Sequence, residues 1–159
     1  MTLLPHTVLG AAAGGVVWAT GGSPISVLIG IAAGVLPDAD HLVDFYNWYI
    51  RRNRTKWLLL LHAREYLAIM IAIYVFIGYP TWLLAVILGY ATQIGADLIA
   101  NPSYWHTYSI TSRVLKRFDR KAITPNDPDV GYEALVRSVP FKRDALRKWF
   151  AARVDSKGD

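Results

Sequence analysis

The chain contains no cysteine, so it has no disulfide framework and no thiolate-held metal; any bound ion would need His, Asp, Glu, Gln, Asn or water. Charge is missing over a long early stretch: from Thr7 to Pro37 there is no ionisable side chain. The N-terminus has neither the basic n-region nor the small-residue cleavage site of a secretory signal, so the first apolar run is expected to be kept as structure. Familiar catalytic signatures are also missing. There is no Gly-x-Ser-x-Gly elbow, no phosphate-binding Gly-rich loop with its Lys, and no His-Glu-x-x-His. These absences narrow the enzymatic readings to one built on a metal held by imidazole and carboxylate.

What is present is strongly apolar. Of 159 residues, 53% are hydrophobic and 13% aromatic, with a mean hydropathy of +0.26, more than a soluble domain of this size needs for its core. The composition therefore predicts an all-α integral membrane protein. Charge is distributed unevenly: residues 1–100 carry five basic and five acidic side chains, whereas residues 101–159 carry twelve basic against seven acidic. The whole net charge of +5 lies in the tail.

Four apolar segments stand out, at Thr7–Thr20, Pro24–Leu36, Trp57–Tyr79 and Thr81–Ala100. At about 1.5 Å per residue, the last two are long enough to cross a hydrocarbon core of about 30 Å. The first two are short, rich in Gly and Ala, and separated by Gly21-Gly22-Ser23-Pro24, which predicts a tight helical hairpin or buried half-helices. Arg51, Arg52, Arg54 and Lys56 precede the third segment, and Arg113, Lys116, Arg117, Arg120 and Lys121 follow the fourth. The excess of Lys and Arg places both clusters, the N-terminus and the tail on the cytoplasmic side of the plasma (inner) membrane.

After Asn101-Pro102 the pattern changes to a soluble one, which divides the chain into a four-helix transmembrane domain at 1–100 and a basic tail at 101–159. In the tail, Ile110, Val114, Leu115 and Phe118 fall on one helical face among Arg113, Lys116, Arg117 and Arg120. Residues 125–129 read as part of a turn-rich linker, and Phe141, Ala145, Leu146, Trp149, Phe150 and Val154 form a second amphipathic face. Basic amphipathic helices of this kind are suited to the anionic headgroups of a bilayer. A protein partner or a second copy of the chain is a further expectation for the tail. The basic isoelectric point has no nucleic-acid-binding motif beside it, so no nucleic-acid partner is expected. His106, among Tyr104, Trp105 and Tyr108, reads as an interfacial aromatic belt.

The polar residues in or beside the apolar segments are few, and the hairpin topology gathers them at one membrane face. His6 precedes the first segment; Leu36-Pro37-Asp38-Ala39-Asp40-His41 closes the second; His62, Arg64 and Glu65 open the third; Gln93 and Asp97 end the fourth. On helices, His62 and Glu65 would share a face at a spacing of three, and Gln93 and Asp97 at a spacing of four. Charges there are expensive unless paired or metal-bound. The expected ligands are His6, Asp38, Asp40, His41, His62 and Asp97, and mixed carboxylate and imidazole donors suit a divalent ion, zinc or manganese above all. Plainer explanations exist for each part: Asp38, Asp40 and His41 as a solvated helix end, and His62 with Glu65 as a hydrogen-bonded or ion-paired polar core.

His6, the Leu-Pro-Asp-Ala-Asp-His box, His62 and the stretch from Gly89-Tyr90 to Asp97 resemble the YdjM-like family of membrane-bound metal-dependent hydrolases, over residues 1–100 only. Family members carry a second histidine after the one matched by His62, and a fourth-helix histidine where this chain has Gln93. The resemblance implies hydrolysis by a metal-activated water with a carboxylate as general base, for which Glu65 is the candidate. Arg64 and the cluster from Arg51 to Lys56 would favour an anionic substrate such as a lipid phosphate ester. The two replaced histidines favour the alternative, a non-catalytic membrane scaffold that recruits a partner through its tail.

Overall fold

The computed structural model describes residues 3–101, 104, 106–124, 136 and 142–154. Among them the fold is mostly helical, with no strand. Helix α1 spans Leu3–Ala19 and α2 spans Ile25–Val35. Gly21, at φ 109°, ends α1 by letting Gly22 N donate to the Val17 carbonyl at 2.9 Å and Gly21 N to Trp18 at 3.2 Å. This left-handed cap turns the chain sharply back, as the Gly-Gly-Ser-Pro break predicts.

Pro37 does not stop the second helix. It sits in a 3-10 turn, Leu36–Ala39, that runs on into α3, Asp40–Phe45, and a wider π turn, Tyr46–Ile50. The tightened turn accommodates proline within the continuing helix, at the loss of the one N–H that proline lacks. The Pro-Asp-Ala-Asp-His box therefore lies inside a helical stretch, not at its end.

The third apolar segment also differs from expectation. Residues 57–63 are not helical, and α4 begins only at Arg64 and ends at Phe76. Its thirteen residues give a length of about 20 Å, short of a bilayer core. The fourth segment is helical throughout, α5, Thr81–Ala100. Two stretches, Ile25–Ile50 and Thr81–Ala100, are long and apolar enough to cross a membrane. Large apolar side chains stay uncovered on several helices, with Phe76 88% and Ile99 91% exposed.

α1, α2 and α5 pack against one another through their backbones. A Cβ on Gly10 would fall 2.6 Å from the Gly30 carbonyl oxygen, and one on Gly89 would fall 2.4 Å from the same atom. Small residues at a crossing let helices approach at backbone distance, the packing that association in lipid favours.

The described parts of the tail fold back onto the first hundred residues. Helix α6, Ile110–Leu115, is short, and its orientation reverses the amphipathic reading: Arg113 is fully buried while Val114 and Leu115 are exposed. Periodicity locates two faces but not which one points in. After α7, Arg120–Ile123, the next described helix is α8, Arg143–Val154. Phe150 of α8 is buried against Tyr49, with ring centroids 4.8 Å apart, and packs near Phe45 and Trp149. Leu146, Trp149 and Phe150 of that apolar face meet protein, while Ala145 stays exposed. The turn-rich linker at 125–129 lies outside the described residues.

Gly89→Ala is expected to destabilise the protein by about 1–3 kcal/mol through overpacking, read as a lower melting temperature in detergent. Gly15→Ala and Gly95→Ala, where an added methyl meets nothing within 4 Å, serve as controls and should be neutral or mildly stabilising.

Candidate metal centre

The backbone crossing brings one end of each helix to a common place. His6 lies in the first turns of α1, Asp38 in the 3-10 turn, Asp97 near the end of α5, and His62 on the non-helical segment before α4. His62 Nε2 lies 3.3 Å from Asp38 Oδ1 and 3.5 Å from Asp97 Oδ2. His6 Nε2 lies 3.4 Å from Asp97 Oδ1, and His41 Nε2 lies 3.9 Å from Asp38 Oδ1.

These separations exceed the range of about 2.7–3.2 Å typical of N–H···O bonds. The first three match the edge of about 3.3–3.6 Å between ligands placed about 2.0–2.2 Å from a tetrahedral cation, while the His41–Asp38 separation of 3.9 Å is wider. His6 carries the same message: its side chain is 1% exposed, yet neither ring nitrogen has a hydrogen-bond partner. A buried imidazole left this way is costly, and a cation is one means of satisfying it. Two sets of donors could hold a metal ion, Asp38 with His41 and His62, and His6 with Asp38 and Asp97; within each set the ligand atoms lie within 4.8 Å of one another.

Asp40 takes another position. Its Oδ2 accepts from Leu61 N and lies 3.3 Å from His62 Nδ1, on the side of the ring away from Asp38 and Asp97. It stands behind His62, where a carboxylate at Nδ1 fixes the tautomer whose Nε2 lone pair faces the cluster, 3.3 Å from Gln93 Nε2. Gln93, not among the expected ligands, occupies the middle of the cluster: its Nε2 donates to Asp38 Oδ1 at 2.8 Å and to Asp97 Oδ2 at 3.3 Å. Its signal in the sequence was the four-residue spacing to Asp97.

Glu65 and Arg64 lie apart from this cluster. Because His62 precedes α4 instead of sitting on it, the helical spacing that was to align His62 with Glu65 does not apply. Glu65 instead accepts hydrogen bonds from Ser109 Oγ and, at 3.1 Å, from Ile110 N, capping the start of α6. Arg64 is exposed, and its backbone N donates to the Tyr108 carbonyl at 2.9 Å. The His106 ring meets Lys116 Nζ and stacks on Tyr104 with centroids 5.1 Å apart.

The segment that carries His62 is held by groups from three elements, α3, α5 and α6. Asp44 accepts from Leu58 N at 3.0 Å, Asp40 from Leu61 N, and the Tyr90 hydroxyl accepts from Ala63 N at 2.9 Å. The Arg113 guanidinium donates to the carbonyls of Leu59 and His62, while its Nε donates to the Thr107 carbonyl at 2.8 Å. Burial pulls the Arg113 pKa below its ordinary value, and the Asp40 and Glu65 carboxylates oppose that shift. Burial also pushes the nearby Tyr108 phenol up to about 12, so it remains a neutral hydrogen-bonding group. No pattern in the sequence separated Arg113 from the exposed basic residues around it.

Arg113→Ala is expected to cost about 3–5 kcal/mol, because it leaves buried carbonyls unsatisfied, and Arg113→Lys should recover only part of that loss since an ammonium lacks the planar fork. Thermal unfolding of the two variants in detergent checks this. Compared with family models, curated proteins and solved structures, the chain matches none.

Proposed function

We propose that this protein is a membrane-bound, metal-dependent hydrolase acting on an anionic ester, with a lipid phosphate ester as the favoured class. The observation that carries the reading is the meeting of His6, Asp38, His62 and Asp97, which come from four separate stretches of chain, around an imidazole that has no hydrogen bond of its own. The resemblance of residues 1–100 to the YdjM-like family points the same way.

In this reading the spans at Ile25–Ile50 and Thr81–Ala100 lie in the inner membrane, with the N-terminus and tail in the cytoplasm. Asp97 then ends its span on the cytoplasmic side, where the charge of Arg51, Arg52, Arg54 and Lys56 at the end of the other span would draw in an anionic substrate. His6, Asp38, His62 and Asp97 would hold a divalent cation, zinc or manganese, which would supply a water of lowered pKa and a local positive charge. The chain's own residues do the positioning. Asp40 orients His62, Gln93 ties Asp38 to Asp97, and Arg113 fixes the segment on which His62 rides. Glu65, engaged with Ser109, acts on this site through the placement of α6, not as its base.

Purified in detergent without chelator, the protein should carry zinc or manganese and hydrolyse a phosphate ester such as phosphatidic acid in mixed micelles, with activity lost to EDTA and restored by the metal. Asp40→Asn is expected to weaken metal binding by about 10–100-fold while leaving the fold intact. A folded, metal-free protein that takes up no added ion selects the scaffold alternative instead.

A further inference from the structure

Resting on the reading of this cluster as a metal centre, we propose that it holds two divalent cations bridged by Asp38. The donors do not form one set. They form two sets that overlap at a single residue: His41 and His62 on one side, His6 and Asp97 on the other, with Asp38 common to both. A carboxylate has two oxygens and about four acceptor directions, so it can serve a cation on each side. Bridged pairs of this kind lie about 3.5–4 Å apart.

Three further observations fit two ions better than one. His62 Nε2 lies 3.3 Å from Asp38 Oδ1 and 3.5 Å from Asp97 Oδ2, so this imidazole stands at the join between the sets. Gln93 lies across the same join, with Nε2 reaching both Asp38 and Asp97, and its buried Oε1 has no hydrogen-bond partner. A half-turn of that amide exchanges nitrogen for oxygen and offers a carbonyl ligand between the two positions. The two sides also differ in access. His6 and Asp97 are buried, whereas the His41 side chain is 54% exposed, so one cation is enclosed and the other faces the approach to the site.

The arrangement narrows the substrate class. One divalent cation is neutralised by Asp38 and Asp97 alone, leaving little net attraction for an anion. Two cations against the same carboxylates leave the centre positive, matched to a phosphate monoester whose oxygens can contact both ions.

The test is to load the detergent-purified full chain with Mn(II), remove unbound ion, and measure manganese per chain together with the low-temperature EPR spectrum. Two ions per chain with the spectrum of an exchange-coupled pair is the expected result. His41→Ala, at an exposed position where folding is least at risk, should retain one ion and show the spectrum of isolated Mn(II). One uncoupled ion per chain in the wild type overturns the bridged pair while leaving the metal-dependent reading in place. Folded protein that takes up no manganese overturns both. A coupled pair that survives unchanged in His41→Ala also overturns the proposal, since His41 would then hold neither ion.

Discussion

The close approach of three backbones at Gly30 is the constraint from which the rest follows. With Gly10 and Gly89 pressed to the same carbonyl oxygen, α1, α2 and α5 have essentially no freedom to slide along one another. The register at that crossing decides which residues meet beyond it. One turn before Gly10 lies His6, two turns past Gly30 lies Asp38, and two turns past Gly89 lies Asp97, so a packing contact made only of glycine sets the spacing of the polar cluster. A one-residue shift would turn those side chains by about 100° and disperse the donors. In a chain with so few polar groups near its apolar helices, nothing else could reassemble them.

A second constraint is imposed by the backbone between Trp57 and Ala63. A non-helical segment next to apolar helices must find partners for its N–H and C=O groups, because neither lipid nor packed side chains supply them. Asp40, Asp44, Tyr90 and Arg113 answer that need, and this explains why a fully buried arginine from beyond residue 100 reaches back to residues 58–62. The division of the chain at residue 100 is therefore one of composition, not of packing. The groups that satisfy this segment also fix the position of His62, so the structural solution and the organisation of the site are the same set of bonds.

Where the sequence could be read depended on whether the signal was local. The turn after α1 was legible because glycine and proline act on their own neighbours, and the gathering of His6, Asp38, His62 and Asp97 followed from an alternating up-and-down path that needs no side-chain detail. Pro37 misled because its effect depends on where it falls within a turn. The apolar run from Trp57 misled because hydropathy does not reveal that a stretch is held out of a helix by hydrogen bonds from residues up to 55 positions away. Arg113 was illegible for the same reason: a helix of six residues has too few turns for periodicity to say which side is inside.

Gln93 deserves its place in the cluster on chemical grounds. An imidazole there would compete with the nearby histidines for protons and add a third donor atom of the same kind. An amide never titrates, so it can bridge Asp38 and Asp97 over the whole pH range in which those carboxylates are ionised. It also offers either an N–H or a carbonyl at one point. The same side chain thus ties two of the converging stretches, at Asp38 and Asp97, while leaving its own Oε1 and the His6 ring without a hydrogen bond. Exposure also differs across the cluster: His6 and Asp97 are buried, whereas the His41 side chain is 54% exposed.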